Sequence, residues 1–191
     1  MSIKFKSNSR LSPEYVLLGF LYLSPSHGYK LHQQLHDQFS NIWHASQSQT
    51  YNILKRLETQ GYIHSTSVEQ DRFPTRQLLE ITPSGVERFE AWLSQPSKVS
   101  VHSIRVEFIT RLYFTQQYHP GRLQKMIQAQ LEAVEAGVIQ LKRLMTKLSD
   151  DDVFNRLALE LRLELLGSVI SWLERCYQAS MPGGGDGHGA E

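Results

Sequence analysis

One short stretch of the chain, SQSQTYNILKRLETQGYI at residues 46–63, combines side chains that could recognise a nucleic acid. In an α-helix, which turns by about 100° per residue, its apolar residues Ile53, Leu54 and Leu57 would share one buried side. The opposite side and its flanks carry amides, hydroxyls and cations: Ser48, Gln49, Tyr51, Asn52, Lys55, Arg56 and Thr59. Asn and Gln can bond an adenine edge in the major groove, whereas Lys, Arg and hydroxyl groups contact phosphates. An ordinary solvated helix face has a similar composition, so this stretch alone leaves both interpretations open.

Further cations would lie at the tip of a predicted β-hairpin. Arg72 and Arg76 bracket the sequence FPT, and a pair so placed could straddle backbone phosphates or enter a minor groove. Beside an amide-rich helix they would form one DNA-binding surface, although a solubilising turn would explain them as well. A flexible arm is expected at residues 1–10, and it could add the cations Lys4, Lys6 and Arg10.

The elements that must position these residues occupy residues 11–94. Proline, glycine and capping residues divide this region into three helices, a hairpin and a fourth helix. The predicted helices span 12–23, 28–39, 46–60 and 82–93, and strands at 62–69 and 76–81 flank a turn at 70–75. This order is typical of a winged helix-turn-helix, which is the fold class that we predict for the region.

The second half of the chain is predicted to be a helical domain at 104–180, after a linker at 95–103. A short helix is expected at 104–116, and a long helix begins at Pro120 with apolar residues at helical spacing. The Gly-rich tail at 181–191 contains no fold signal. The whole chain is therefore predicted to be mainly α-helical.

The last predicted helix, at 152–178, contains the segment LALELRLELL, which alternates apolar and polar residues like a strand. Its residues are strong helix formers, and the region is too long for one strand, so we predict a helix. Leucines surround most of its circumference, which is more apolar surface than one neighbouring helix can cover. We therefore predict a homodimer through this domain, with an interface formed by Leu159, Leu163, Leu166 and Ile170.

Charge, cysteine content and apolar runs restrict the class of protein. Lys plus Arg number 20 and Asp plus Glu 19, so any nucleic-acid surface must be a local patch. The single Cys176 excludes a disulfide framework within the chain and fits a reducing compartment. The longest apolar run, at 15–23, is far shorter than the ~20 residues that span a bilayer. A cytoplasmic protein without a membrane partner is expected.

The sequence contains no arrangement typical of an enzyme. Nucleophile–base pairs, Gly-rich phosphate loops and zinc-type Cys clusters are absent, so neither catalysis nor a cofactor is expected. His32 and His36 have a spacing that can chelate a metal, but no third ligand matches them, and no metal site is predicted. The tryptophans Trp43, Trp92 and Trp172 could line a pocket for an effector, although core packing is the commoner use of this residue.

Three motifs carry a resemblance to a known family. PSHGYKL at 25–31 would begin the second helix, YNILKRLETQGYI at 51–63 forms most of the third, and ITPSG at 81–85 follows the hairpin. In this order and spacing they resemble the PadR-type transcriptional regulators over about residues 11–94. The helical remainder is similar in pattern to the larger subclass, whose carboxy-terminal helical domain makes the dimer.

This resemblance implies a DNA-binding regulator, more often a repressor than an activator, that binds a pseudo-palindromic promoter site as a homodimer. It also implies a small aromatic effector that changes the distance or angle between the two recognition helices. The chain departs from the family's pattern around Tyr51, where Gly-Thr before it and Pro after it are usual, and at Leu79, where Tyr is usual. The family's base contacts therefore cannot be carried over to this chain.

A winged-helix adaptor that binds proteins instead of DNA is the alternative interpretation. The near-neutral net charge favours it, whereas the cations Lys55, Arg56, Arg72 and Arg76 favour DNA. We predict a transcriptional regulator whose partners are double-stranded DNA and a second copy of the chain.

Overall fold

The computed structural model describes residues 12–70, 73–149 and 151–180, with the side chains of 68–76 outside that description. The chain forms two compact units, Met1–Ser94 and Gln95–Glu191. Both the predicted arm at 1–10 and the predicted tail at 181–191 lie outside the described residues. Among the described residues, no helix combines the length and the apolar character needed to cross a membrane.

The first unit has the predicted order of three helices, a hairpin and a helix, with one short strand added. Its elements are α1 Glu14–Leu23, β1 Ser26–His27, α2 Gly28–Phe39, α3 Gln47–Thr59, β2 Ile63–Gln70, β3 Phe73–Ile81 and α4 Pro83–Ser94. The predicted winged helix-turn-helix is confirmed. β1 is missing from the prediction because two residues are too few to show the alternation of a strand.

The sheet of this unit has the order β1-β3-β2, and its neighbouring strands are antiparallel. β2 pairs with β3 from Ile63 opposite Ile81 to Gln70 opposite Phe73, with an irregularity between Val68 and Gln70. The prediction of a turn up to residue 75 is wrong, because Pro74 lies within β3. β1 pairs with β3 only further along, at Leu78 and Leu79. Pro74 therefore has a neighbouring strand on one side only, where its missing N–H is tolerated.

The core of the first unit surrounds α1, whose side chains Val16, Leu17 and Leu18 are fully buried. Two glycines fix the turns next to this core. Gly61 has a φ of +74° and ends α3, a conformation that side chains rarely adopt. At Gly85, a Cβ atom would lie 2.1 Å from the carbonyl oxygen of Tyr62, so only glycine allows α4 to approach the start of the hairpin.

The described part of the second unit is helical, as predicted. It contains α5 Val101–Ser103, a π-helical segment Ile104–Phe108, α6 Ile109–Tyr118, a 3-10 turn Pro120–Arg122, α7 Leu123–Met145 and α8 Val153–Ala179. The first helix begins at Val101 instead of residue 104, because the Ser100 hydroxyl accepts a hydrogen bond from the Ser103 N–H at 3.1 Å and caps it. The strand-like segment at 157–166 is helical, and that prediction is confirmed.

Residues 95–97, which we predicted as linker, are bonded to the helices of the second unit. Gln130 on α7 is fully buried, and its amide accepts from the Ser97 N–H at 2.6 Å and donates to the Ser97 carbonyl at 3.2 Å. Arg111 on α6 donates to the Ser97 hydroxyl at 3.1 Å and to the Gln95 carbonyl. Ser97 is therefore buried within the second unit, and the segment is fixed to its helices.

Two faces of α8 are apolar, and the residues that we predicted as the dimer interface belong to the face that packs within the chain. The side chains predicted to face a partner chain pack against α7 and its neighbours in the same chain: Leu159, Leu163, Leu166 and Ile170. Leu166 is 0% exposed, whereas Leu161 is 58% exposed. The outward apolar face of α8 consists of Phe154, Leu157, Leu161 and Leu165. The helical period alone could not decide which leucine face α7 covers, because both faces are apolar.

Candidate nucleic-acid interface

The start of α3 is fixed by reciprocal hydrogen bonds. The Ser46 hydroxyl accepts from the Gln49 N–H at 3.2 Å, and the Gln49 side-chain oxygen accepts from the Ser46 N–H at 2.8 Å. This capping box satisfies two donors that the first turn of a helix otherwise leaves unpaired. The amide of Gln49, which we predicted to read bases, is thus already used to begin the helix.

The two sides of α3 are those predicted from helical spacing. Ile53, Leu54 and Leu57 are buried, and the polar side chains Ser48, Asn52, Lys55 and Thr59 are exposed. The Thr59 hydroxyl donates to the Lys55 carbonyl at 2.8 Å, so it remains available as an acceptor only. Asn52 and Lys55 therefore offer the most versatile polar groups of the exposed face.

A groove of about 750 Å³ runs beside this face. It is lined by residues from β1, α2, α3 and β3: His27, Gly28, Tyr29, Tyr51, Asn52, Leu54, Lys55, Glu58, Gln77 and Leu79. Tyr51 is 45% exposed and packs close to α2, since a Cβ atom at Gly28 would lie 3.0 Å from its ring. The groove thus extends the polar face of α3 towards β3 of the wing.

The ring of His27 is held at one wall of the groove. Its Nδ1 donates to the carbonyl of Gln77 at 2.8 Å, because a carbonyl can only accept, and the ring stacks on Tyr29 with centroids 5.9 Å apart. Our sequence analysis did not select these residues, although the PSHGYKL motif contains both. Their contact with β3 could not be read from a strand as short as β1.

Arg56, which we predicted to contact a phosphate, is ion-paired within the first unit. Its Nη2 lies 2.7 Å from a carboxylate oxygen of Glu14 on α1. The other carboxylate oxygen of Glu14 accepts from Arg88 on α4, whose guanidinium lies 4.3 Å from the centroid of the Tyr62 ring. Burial alone would lower the pKa of Arg88, but a hydrogen bond with Tyr15 and the charge of Glu14 raise it overall.

The remaining predicted DNA contacts lie where the structure does not describe them. Arg72 is outside the described residues, and so is the side chain of Arg76, although its backbone belongs to β3. The arm cations Lys4, Lys6 and Arg10 are outside as well. Their roles remain predictions.

The two histidines with metal-chelating spacing have different surroundings. His32 lies 3.0 Å from the Thr50 hydroxyl, which itself donates to the Ser46 carbonyl, so His32 Nδ1 donates and connects α2 to α3. His36 is exposed beside Asp37. Within the described ranges, no three His, Cys, Asp or Glu side chains are grouped as metal ligands would be.

Cys176 is half-buried in the second unit, and burial raises the pKa of its thiol.

The three tryptophans have separate environments. Trp43 lines an open groove of about 410 Å³ beside the start of α3, together with Leu35 and His36. Trp92 is buried and stacks on Tyr15 with ring centroids 4.5 Å apart. Trp172 belongs to the second unit, where it packs edge-on against Phe108.

Comparisons with known proteins match the chain to two family models and to individual transcriptional regulators. Residues 17–91 match the transcriptional regulator PadR-like family, and residues 104–180 match the family described as virulence activator alpha C-term. The negative transcriptional regulator PadR of Bacillus subtilis is 25% identical over 170 residues, 84% of this chain and 93% of that protein. A probable transcriptional regulator of Mycobacterium tuberculosis is 27% identical over 71 residues, 37% of this chain and 38% of that protein. The crystal structure of B. subtilis PadR in complex with operator DNA is similar with a TM-score of 0.44 at 24% identity, covering 88% of this chain and 98% of that one.

Proposed function

Because the chain belongs to the PadR-like family of transcriptional regulators, we propose that it binds promoter DNA as a homodimer and represses transcription there. α3 is the reading helix, and its exposed polar face enters the major groove. The B. subtilis relative is a negative transcriptional regulator, which supports repression as the direction of control.

The observation that carries this proposal is the exposed face of α3. Asn52 offers a donor and an acceptor to a base edge, and Lys55, one turn further along, offers a cation to the phosphates on either side. Ser48 lies one turn before Asn52 on the same face, where its hydroxyl can contact a base or a phosphate.

The groove beside α3 suits the sugar–phosphate backbone next to the bases that are read. Tyr51 offers a hydroxyl there, Lys55 offers a charge, and His27 and Tyr29 form the wall. The hairpin of β2 and β3 is the wing and would lie on the far side of this DNA backbone. Arg72 and Arg76 would add phosphate contacts there.

Two copies of α3 are needed to read a pseudo-palindromic site in successive major grooves. The outward apolar face of α8 supports a dimer, since four large side chains in one row are costly to leave in water. A small aromatic effector would then regulate binding by changing the distance or angle between the two reading helices. The position of Trp43 supports an aromatic effector, because this residue lines a groove next to the capped start of α3.

Selection of bound genomic fragments, followed by a salt titration, tests the proposed function. The fragments should share a pseudo-palindromic sequence. A dimer that makes about 6–8 phosphate contacts should give a slope of log K against log salt of roughly −5 to −7. Negligible affinity for every fragment at low salt would contradict DNA binding and favour the protein-binding adaptor.

A further inference from the structure

The charge of Arg56 on the reading helix is compensated by a carboxylate from another element. Glu14 uses one oxygen for Arg56 at 2.7 Å and the other for Arg88. Two cations thus share one anion at the junction of α1, α3 and α4. Arg56 is the exposed member of this triad, with 48% of its side chain accessible to solvent.

The carboxylate cannot follow Arg56 towards solvent. Only 14% of the Glu14 side chain is exposed, and its second oxygen is bonded to Arg88. The Arg88 guanidinium is itself held over the rings of Tyr62 and Tyr15, at 4.3 and 5.3 Å from their centroids, and its Nη1 lies 3.3 Å from the side-chain oxygen of Gln60. A phosphate that approaches Arg56 must therefore compete with a carboxylate that is fixed in place.

Lys55 provides the contrast. It is the neighbour of Arg56 in sequence, but it lies on the exposed face of α3 and lines the groove that suits the DNA backbone. A cation in that position contacts phosphates of any sequence, so each such cation strengthens operator and non-operator binding together. Arg56, by contrast, is paired with Glu14.

We propose that Glu14 is a specificity-determining residue, which limits sequence-independent DNA binding by withholding Arg56 from the phosphates. This inference rests on the proposed function, since it concerns the same DNA-binding surface. The ratio of operator to non-operator affinity is then set partly by a side chain on α1 that itself reads no base.

The test compares Glu14→Gln with Glu87→Gln, which removes an exposed carboxylate from α4 in the same unit. The probes are a selected operator duplex and a scrambled duplex of equal length. Glu14→Gln should bind the scrambled duplex several-fold more tightly than wild type, with a salt slope steeper by about 0.9 for each added phosphate contact. The operator-to-scrambled ratio should fall. Glu87→Gln should leave the slope unchanged.

A second pair of variants keeps the test decisive if Glu14→Gln folds poorly. With Glu14 in place, Arg56→Gln should weaken scrambled-duplex binding much less than Lys55→Gln does. Where Glu14→Gln does fold, adding Arg56→Gln to it should remove the gain in affinity.

Equal losses for Arg56→Gln and Lys55→Gln would overturn the inference, and so would a Glu14→Gln variant that matches Glu87→Gln. In both cases the proposed function would stand as long as the wild-type protein binds the operator duplex. Wild-type protein that binds neither duplex would remove the proposed function and this inference with it.

Discussion

Two amides of α3, three residues apart, have different freedom to contact DNA. The Gln49 side chain accepts from the Ser46 N–H and closes the capping box, so a base contact through its oxygen would open the start of the helix. Asn52 lies one turn later on the exposed face. From spacing we predicted that both amides read bases, with Gln49 on the flank of the helix and Asn52 on its outer face. The cap geometry now separates their roles. Asn52 is the better candidate for reading a base.

Asn52→Ala should therefore weaken operator binding with little effect on scrambled DNA. Loss of a bidentate base contact costs about 1–3 kcal/mol, or roughly 5- to 150-fold in Kd. The free energy of unfolding should hardly change, because an exposed Asn packs against no core. Titration of both duplexes, with urea unfolding alongside, measures the two effects.

The matched control is Gln116→Ala, which removes an exposed amide from α6 in the other unit and should alter neither duplex. Gln49→Ala should instead lower the free energy of unfolding by about 0.5–1.5 kcal/mol, because it removes a hydrogen bond of the cap. An Asn52→Ala variant that binds the operator like wild type would refute the base-reading role.

At the scale of elements, periodicity and capping residues predicted most of the fold. α3 and α8 were recoverable because they are long and bounded by clear signals, such as Gly61 after α3. β1 and the Glu14 ion pair could not be predicted from the sequence, because both depend on contacts between residues far apart in sequence. The same reason explains residues 95–97. Their polar composition predicted a linker, whereas the amide that fixes them is more than thirty residues away on α7.

Gln130→Met should destabilise the protein by about 1–3 kcal/mol. Methionine keeps the length of the side chain but leaves the Ser97 N–H and carbonyl without the partners that they have on Gln130. Urea unfolding of the full chain, followed by circular dichroism, gives the difference in free energy. Gln128→Met, an exposed change two residues earlier on α7, is the control. Equal stability of the two variants would mean that the segment is not held by this amide.

At the scale of the whole molecule, the net charge is only +1. The proposed function therefore requires both a local DNA-binding surface and a dimer interface. Affinity for DNA must come from a local surface, because the overall charge supplies no attraction. In the proposed function that surface consists of α3, its groove and the wing. A single copy of that surface can read only one half-site. The dimer is therefore as important to the proposed function as the reading helix, and it needs an apolar surface that the chain does not cover itself.

We propose the outward face of α8 as that surface, and a matched pair of double variants can test it. Leu157→Glu with Leu161→Glu should give monomers that keep their helical circular dichroism, because both side chains point to solvent within the chain and to the partner in the proposed dimer. Leu159→Glu with Leu163→Glu places the same charges against the core of α7 and α8 and should unfold the second unit, since unpaired charges are costly to bury. Sedimentation velocity combined with circular dichroism separates the two outcomes. A Leu157→Glu, Leu161→Glu variant that sediments as a dimer would exclude this face as the interface. If the variant is a monomer, it should also lose most of the operator affinity, because the two half-sites of the operator are no longer bound by one linked dimer.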